Sequence, residues 1–91
     1  MLPIGTALDA FFKKSGYYAR IKEAEIREQW SAIVGTVFAR ATTHIGFKNG
    51  TMFVEVNSAA IKHELFINRT TIIYRINEKI KEPYIKEIIF R

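Results

Sequence analysis

The chain has 91 residues, a net charge of +5 and a pI near 9.7, and 48% of its residues are hydrophobic. This apolar content excludes a disordered chain, and the length suits one domain rather than two. The lack of cysteine excludes disulfides and thiolate catalysis and favours a reducing, cytoplasmic location. The uncharged stretches are too short to span a bilayer, and the N-terminal residues lack the features of a signal peptide, so we expect no membrane association.

The first predicted helix covers residues 4–14. Pro3 suits a first helical turn, in which its missing N–H costs no hydrogen bond, and apolar residues then recur at helical spacing. Gly16 follows as the expected end of this helix, because glycine adopts the left-handed conformation that terminates helices without strain.

A second helix is predicted over about residues 17–34, with one apolar stripe and a mixed-charge face. Trp30, the largest side chain, lies on the apolar stripe and is expected to anchor the core; the alternative is a stacking platform or a partner contact. Gly35 follows directly and is predicted to be a left-handed C-cap. Residues 36–40 are expected to add one more helical turn.

The following residues predict a β-hairpin. Two runs rich in β-forming residues, 42–48 and 51–57, flank Asn49 and Gly50. Asn-Gly between such runs is the strongest short signal for a two-residue turn with positive φ at both positions. The hairpin is therefore expected to be antiparallel and tightly connected.

Side-chain alternation divides the second strand of this hairpin into two faces. Met52, Val54 and Val56 form an apolar face that should pack on the helices. By alternation we expect Phe47 and Phe53 to point away from that face. If the far face is open, these two rings become candidate partner-binding residues that stack on bases or contact a protein; cover by the first helix or by a second copy of the chain is the alternative.

One long helix and a final strand complete the predicted order. Ser58 is a favourable N-cap for a helix that runs to about Lys81, before Pro83, which cannot continue it. Residues 84–90 contain enough β-forming residues for a last strand, parallel to the second. The order α-α-β-β-α-β predicts an α+β fold with a three-stranded mixed sheet packed on the helices.

The excess positive charge favours a polyanionic partner such as nucleic acid, and an ordinary basic protein is the alternative. Basic side chains would bind phosphates without sequence preference, and the affinity would fall steeply with salt. The candidate nucleic-acid-binding residues are Lys13, Lys14, Arg20 and Lys22 around the turn at Gly16, Lys48 at the hairpin, and Lys62 and Arg69 on the long helix.

The sequence contains no recognisable catalytic or metal-binding motif. His63 and Glu64 begin like a zinc-protease helix, but Ile67 stands where the second histidine is required. No Walker loop, dinucleotide fingerprint or Gly-x-Ser-x-Gly elbow occurs. We therefore expect a non-enzymatic protein with no cofactor, no metal and no small-molecule substrate.

The ordered motifs of the chain resemble the DciA-like family of bacterial proteins. The family pattern is a helix ending in Trp and Val-Gly, an Asn/Asp-Gly hairpin, a Val-x-Val strand, a long helix and a final Ile-x-Phe-Arg strand. The resemblance extends from about residue 5 to residue 91, and its structural motif residues are Trp30, Gly35, Asn49 and Gly50. The matching segments are 30–35, 43–44, 48–50, 53–58, 64–65 and 88–91.

The resemblance implies a single KH-like domain over residues 1–91 and a role in bacterial DNA replication. Proteins of this family are regarded as loaders of the replicative DNA helicase that associate with DNA, so the expected partners are that helicase and single- or double-stranded DNA. The alternatives are a protein-interaction module without nucleic-acid binding and an RNA-binding KH-like domain. The chain lacks the Gly-x-x-Gly loop with which KH domains clamp nucleic acid, since its glycines stand at positions 5, 16, 35, 46 and 50.

Overall fold

The computed structural model describes residues 16–91, and the helix predicted over 4–14 lies outside them. The described part has four helices and three strands, and the predicted α+β class with a mixed sheet is confirmed. The KH-like assignment remains a prediction. The helices are α1 (Tyr17–Val34), α2 (Thr36–Ala41), α3 (Ala59–Ile67) and α4 (Arg69–Ile80), and the strands are β1 (Thr42–Lys48), β2 (Thr51–Val56) and β3 (Glu87–Phe90).

The sheet has the order β1-β2-β3, with β2 in the centre. The β1–β2 pair is antiparallel and the β2–β3 pair is parallel, as predicted. Asn49 and Gly50 both have positive φ, at 51° and 84°, which confirms the two-residue turn. Because this turn pairs Lys48 with Thr51, it fixes the register of the whole hairpin.

The core lies between one face of the sheet and the helices. Met52 and Val54 of β2 are fully buried, and they pack in one cluster with α1, α3 and α4. Burial of such side chains stabilises the fold by about 1.5–3 kcal/mol each. The buried members of this cluster are Ile26, Trp30, Ile33, Met52, Val54, Leu65, Ile72, Ile76, Ile80, Ile85 and Ile88.

The long helix predicted after Ser58 is interrupted at Asn68, so the prediction of one continuous helix is wrong. Ser58 is the N-cap, and its hydroxyl accepts a hydrogen bond from the Ile61 N–H at 3.3 Å. Asn68 has φ −97° and ψ 14°, and its side-chain amide donates to the Glu64 carbonyl at 2.9 Å. The Asn68 N–H donates to the same carbonyl at 3.2 Å, and α3 ends at this residue, one position before α4 begins.

Gly35 separates α1 from α2, but its conformation differs from the predicted left-handed cap. Its φ of 96° is positive as expected, whereas its ψ of 156° is extended. This combination is open essentially only to glycine. The Gly35 N–H donates to the Ser31 carbonyl at 2.8 Å and closes the last turn of α1.

The final strand begins at Glu87, three residues later than predicted. The side chain of Asn77 on α4 binds both main-chain groups of Ile85: its amide donates to the carbonyl, and its oxygen accepts from the N–H, each at 3.0 Å. Since both polar groups of Ile85 are taken by a side chain, they do not join the β2–β3 ladder. The β-forming residues before Glu87 therefore form a loop held against α4.

Candidate nucleic-acid interface

Trp30 connects the end of α1 to the start of β1. Its side chain is only 3% exposed, and its indole N–H donates to the Thr42 hydroxyl at 3.0 Å. That hydroxyl in turn donates to the Phe38 carbonyl at 3.1 Å. The buried position and satisfied N–H give Trp30 a structural role and leave no ring face available for stacking a base.

Lys22 of α1 lies beside the loop that precedes β3. Lys22 makes ion pairs with Glu25 at 3.3 Å and Glu82 at 3.6 Å, and its ammonium also donates to the Ile80 carbonyl at 3.4 Å. Its side chain is 17% exposed. Lys22 is therefore already neutralised within the fold, whereas Arg20 on the same helix is exposed.

Two tyrosines reinforce this junction between α1 and the loop. The Tyr18 hydroxyl donates to Glu82, and the Tyr84 hydroxyl donates to Glu23 at 3.3 Å. Burial and the adjacent carboxylates, first of them Glu23, raise the pKa of Tyr84 to about 12. Both contacts join residues more than sixty positions apart, so they hold the N-terminal part of α1 against the end of α4.

Lys48 lies exposed at the tip of the hairpin. The neighbouring Gly50 carbonyl accepts from the Lys86 N–H at 2.8 Å, which brings a second exposed lysine to the same end of the sheet. Lys13 and Lys14 lie outside the described residues. The hairpin end thus presents basic side chains, although it does not enclose a cleft with aromatic groups among the described residues.

Lys62 lies on α3, and Arg69 begins α4 directly after the break at Asn68. Arg69 stacks on the ring of Phe66, with its Cζ 4.2 Å from the ring centroid, and donates to the Phe66 carbonyl at 3.0 Å. Phe66 is 51% exposed. A cleft of about 330 Å³ lies beside it, and its lining residues are Ala59, Lys62, His63, Phe66 and Phe90.

Lys48 and Lys62, two of the predicted nucleic-acid-binding residues, lie at opposite ends of β2. Lys48 lies where β2 begins at Thr51, whereas Lys62 follows the other end of β2 at Val56. Six residues of extended strand separate these ends by about 17 Å. The fold therefore does not produce one continuous basic patch that includes every candidate.

Phe47 lies on the helix-covered face of the sheet, so the prediction that it points away from the apolar face is wrong. Directly opposed residues of an antiparallel pair project to the same face, and Phe47 is opposite buried Met52. Phe47 packs partly buried against the core, with the Arg27 Cζ 5.1 Å from its ring centroid. Arg27 also donates to the Ile45 carbonyl at 3.0 Å, which fixes it on β1.

Phe53 does point to the opposite face of the sheet. It is flanked by Gly46 of β1 and Ile89 of β3 in the same row, and Ile89 is 39% exposed. The Arg91 Cζ lies 4.9 Å from the Phe53 ring centroid. Phe53 remains a candidate partner-binding residue, and Arg91 is a neighbour that sequence reasoning did not assign to it.

A family model described as "Dna[CI] antecedent, DciA" matches residues 3–90. The chain belongs to the DciA family. Two curated relatives from Mycobacterium leprae, UPF0232 protein MLBr00004 of strain Br4923 and UPF0232 protein ML0004 of strain TN, are each 28% identical to the chain over 74 residues. The match covers 81% of this chain and 39% of each relative, so the chain spans about two fifths of the length of these DciA-family relatives.

The motif residues that carry the DciA resemblance are mostly architectural. Trp30 is a core residue, Gly35 has a conformation reserved for glycine, and Asn49 with Gly50 forms the hairpin turn. The exposed Phe66 is not among them. Its signal in the sequence is the spacing of Lys62, Phe66 and Arg69, which on a helix places two cations and one ring on the same side.

The described residues give no indication of buried acid–base chemistry. Residues 16–91 contain no buried polar or charged side chain and no cluster of three or more His, Asp or Glu residues able to hold a metal ion. Within the same range, no helix is long and apolar enough to cross a membrane.

Proposed function

We propose that the chain is a non-enzymatic adaptor in the loading of a bacterial replicative helicase, and that it binds nucleic acid weakly and without sequence preference. The observation that carries this proposal is the match of the DciA family model to residues 3–90. The net charge of +5 and the exposed basic groups at both ends of β2 support the nucleic-acid part.

The electrostatics of the surface predict the strength and character of this binding. Lys48, Lys62 and Arg69 make no ion pair of the kind that neutralises Lys22, so within the described residues they remain available for phosphate contacts. Each phosphate neutralised on a single strand changes the slope of log affinity against log salt by about 0.7. Two to four such contacts give slopes of roughly −1.4 to −2.8 and low affinity at physiological salt.

Fluorescence anisotropy with labelled single- and double-stranded DNA tests the nucleic-acid part. We expect saturable binding at low salt, little dependence on base composition, and a steep loss of affinity at moderate salt. Absence of binding to either form at low salt would refute this part of the proposal. A matched titration with RNA distinguishes a DNA-binding adaptor from an RNA-binding domain.

The helicase part concerns a separate, apolar surface. Val37 on α2 and Ile67 at the end of α3 are 68% and 58% exposed. A groove of about 230 Å³ is lined by Phe38 of α2 and by Leu65 and Asn68, among others. These side chains favour contact with a protein. The same observation supports the second candidate function, a protein-interaction module with no nucleic-acid role.

Co-elution with the host's hexameric replicative helicase on size-exclusion chromatography tests this docking. Replacement of Val37 and Ile67 by serine should weaken co-elution, because their apolar area would no longer be removed from water in the complex. Ile21→Ser is the matched control, since Ile21 is a 44% exposed apolar residue on α1. Helicase binding without any nucleic-acid binding would favour the second candidate.

A further inference from the structure

A cleft between α3 and the end of β3 combines aromatic and cationic groups in one place. We call it the aromatic cleft, and it comprises the lining residues Ala59, Lys62, His63, Phe66 and Phe90 together with Arg69, which stacks on Phe66. None of these lining residues is acidic. The cleft therefore offers one planar stacking surface and flexible positive charge, with no carboxylate among its described residues to neutralise it.

The arrangement of Phe66 is not explained by the packing of the core. Leu65 is the buried residue of α3, at 1% exposure, whereas the adjacent Phe66 remains half exposed. A single exposed apolar residue needs no explanation. Here, however, the Arg69 guanidinium is fixed over the ring by its hydrogen bond to the Phe66 carbonyl, so ring and guanidinium form a preorganised flat pair.

We propose that the aromatic cleft binds a segment of single-stranded nucleic acid, with a base stacked on the Phe66–Arg69 pair and an adjacent phosphate bound by Lys62. This inference rests on the proposed nucleic-acid binding and assigns it to a site. Aromatic rings accept any base because every base has a π-face, and lysine binds phosphate without reading sequence. Arg69 adds a cation–π contribution to stacking.

The geometry selects a single strand over a duplex. In a duplex both faces of each base are covered by its neighbours, so a ring can stack only on a base that has left the stack. Lys62 and Phe66 both line the cleft and are four positions apart on α3, which corresponds to about 6 Å along the helix axis. The cleft can therefore contact a base and a phosphate of one short segment at the same time.

The test is fluorescence anisotropy of the full chain with labelled oligothymidylate and with a blunt duplex of equal length. We expect Phe66→Leu, which keeps apolar volume and helix propensity but removes the ring, to weaken binding of the single strand at least about fivefold. Tyr74→Leu is the matched control, because Tyr74 is a 65% exposed aromatic residue on α4, and it should leave affinity unchanged. Thermal unfolding followed by circular dichroism verifies that both variants are folded.

A second pair of variants separates stacking from charge. Arg69→Lys keeps the positive charge but loses the planar group, and we expect it to weaken single-strand binding, whereas Arg40→Lys at an exposed site on α2 should not. As an independent readout, ultraviolet crosslinking to a bromodeoxyuridine-labelled oligonucleotide should modify the peptide that contains Phe66.

The outcomes distinguish this inference from the proposed function. If the wild-type chain binds neither single strand nor duplex at low salt, the nucleic-acid part of the proposed function fails, and the inference fails with it. If it binds both forms equally, and Phe66→Leu behaves like Tyr74→Leu, the proposed function stands and the aromatic cleft is not the site. If Phe66→Leu instead reduces only helicase co-elution, the cleft is a protein contact and the inference is overturned.

Discussion

Replacement of Asn77 by alanine is expected to detach the loop before β3 from α4. The Asn77 side chain forms two hydrogen bonds with Ile85, one to its carbonyl and one from its N–H, each at 3.0 Å. Ile85 is 2% exposed and belongs to the core cluster. Alanine would leave both main-chain groups of Ile85 without these partners in an environment that water does not reach readily.

The expected loss of stability follows from the number of groups left unpaired. A buried polar group without a partner costs about 1–3 kcal/mol, so two such groups cost about 2–6 kcal/mol. Alanine recovers roughly 0.5 kcal/mol through its higher helix propensity. The net loss of about 1.5–5.5 kcal/mol compares with the 5–15 kcal/mol typical of folded proteins and corresponds to a fall in Tm of at least roughly 6 °C.

The free energy of unfolding is best measured by urea denaturation followed by far-ultraviolet circular dichroism. Glu78→Ala is the control, because Glu78 is the next residue on α4 and is exposed, and alanine there removes neither of these bonds. If Asn77→Ala and Glu78→Ala unfold within about 0.5 kcal/mol of each other, the two bonds do not hold the loop and the reasoning is wrong.

Three further substitutions test separate features of the fold. The pKa of Tyr84 rises from 10.0 to about 12 on folding, so its contribution to the free energy of unfolding is complete below pH 10 and is lost as the pH approaches 12. Urea unfolding should therefore show a lower stability at pH 11 than at pH 8, and Tyr84→Phe should reduce this difference. Ser58→Ala removes the N-cap of α3 and should destabilise the protein by about 0.5–2 kcal/mol in urea denaturation, whereas Ser31→Ala on the exposed side of α1 should not. Gly35→Ala forces an L-residue into φ 96° and ψ 156° and should lower the free energy of unfolding by about 1–3 kcal/mol. Gly46→Ala should be tolerated, because the added Cβ meets only the His44 ring at 3.6 Å. Thermal denaturation of both variants measures the difference.

The sequence predicts correctly those helices and turns that are determined by residues close together in the chain. The apolar stripe that includes Trp30 predicts α1, and Asn49 with Gly50 predicts the hairpin turn, because periodicity and turn chemistry act over a few residues. Alternation within a single strand predicts the wrong face for Phe47, because it does not consider the pairing across the hairpin. The two-residue turn pairs Phe47 with Met52, and directly paired residues project to the same face of the sheet.

Other features depend on contacts between residues far apart in the chain. Lys22 is a reasonable phosphate contact by charge alone, but its ion pair with Glu82 exists only after α1 packs against the end of α4. In the sequence Asn77 is an ordinary residue of a helix, and its role follows only from its hydrogen bond to Ile85 in the folded protein. Propensity and periodicity do not report such pairs, so the candidate surface could be located only after the fold had brought its parts together.

The interruption at Asn68 affects how far the connection between β2 and β3 extends along the sheet. The chain leaves β2 at Val56 and must return to the start of β3 at the other end of the same sheet, a distance of about one strand, or roughly 13–20 Å. An unbroken helix from Ala59 to Ile80 would span about 33 Å and would overshoot that point by more than 10 Å. Instead α3 stays beside the end of β3, where Phe66 and Phe90 line one cleft, and α4, about 18 Å long, covers the distance back to the loop that precedes β3. The crossover is thus divided at Asn68, and its second segment begins with Arg69, whose guanidinium lies over the ring of Phe66.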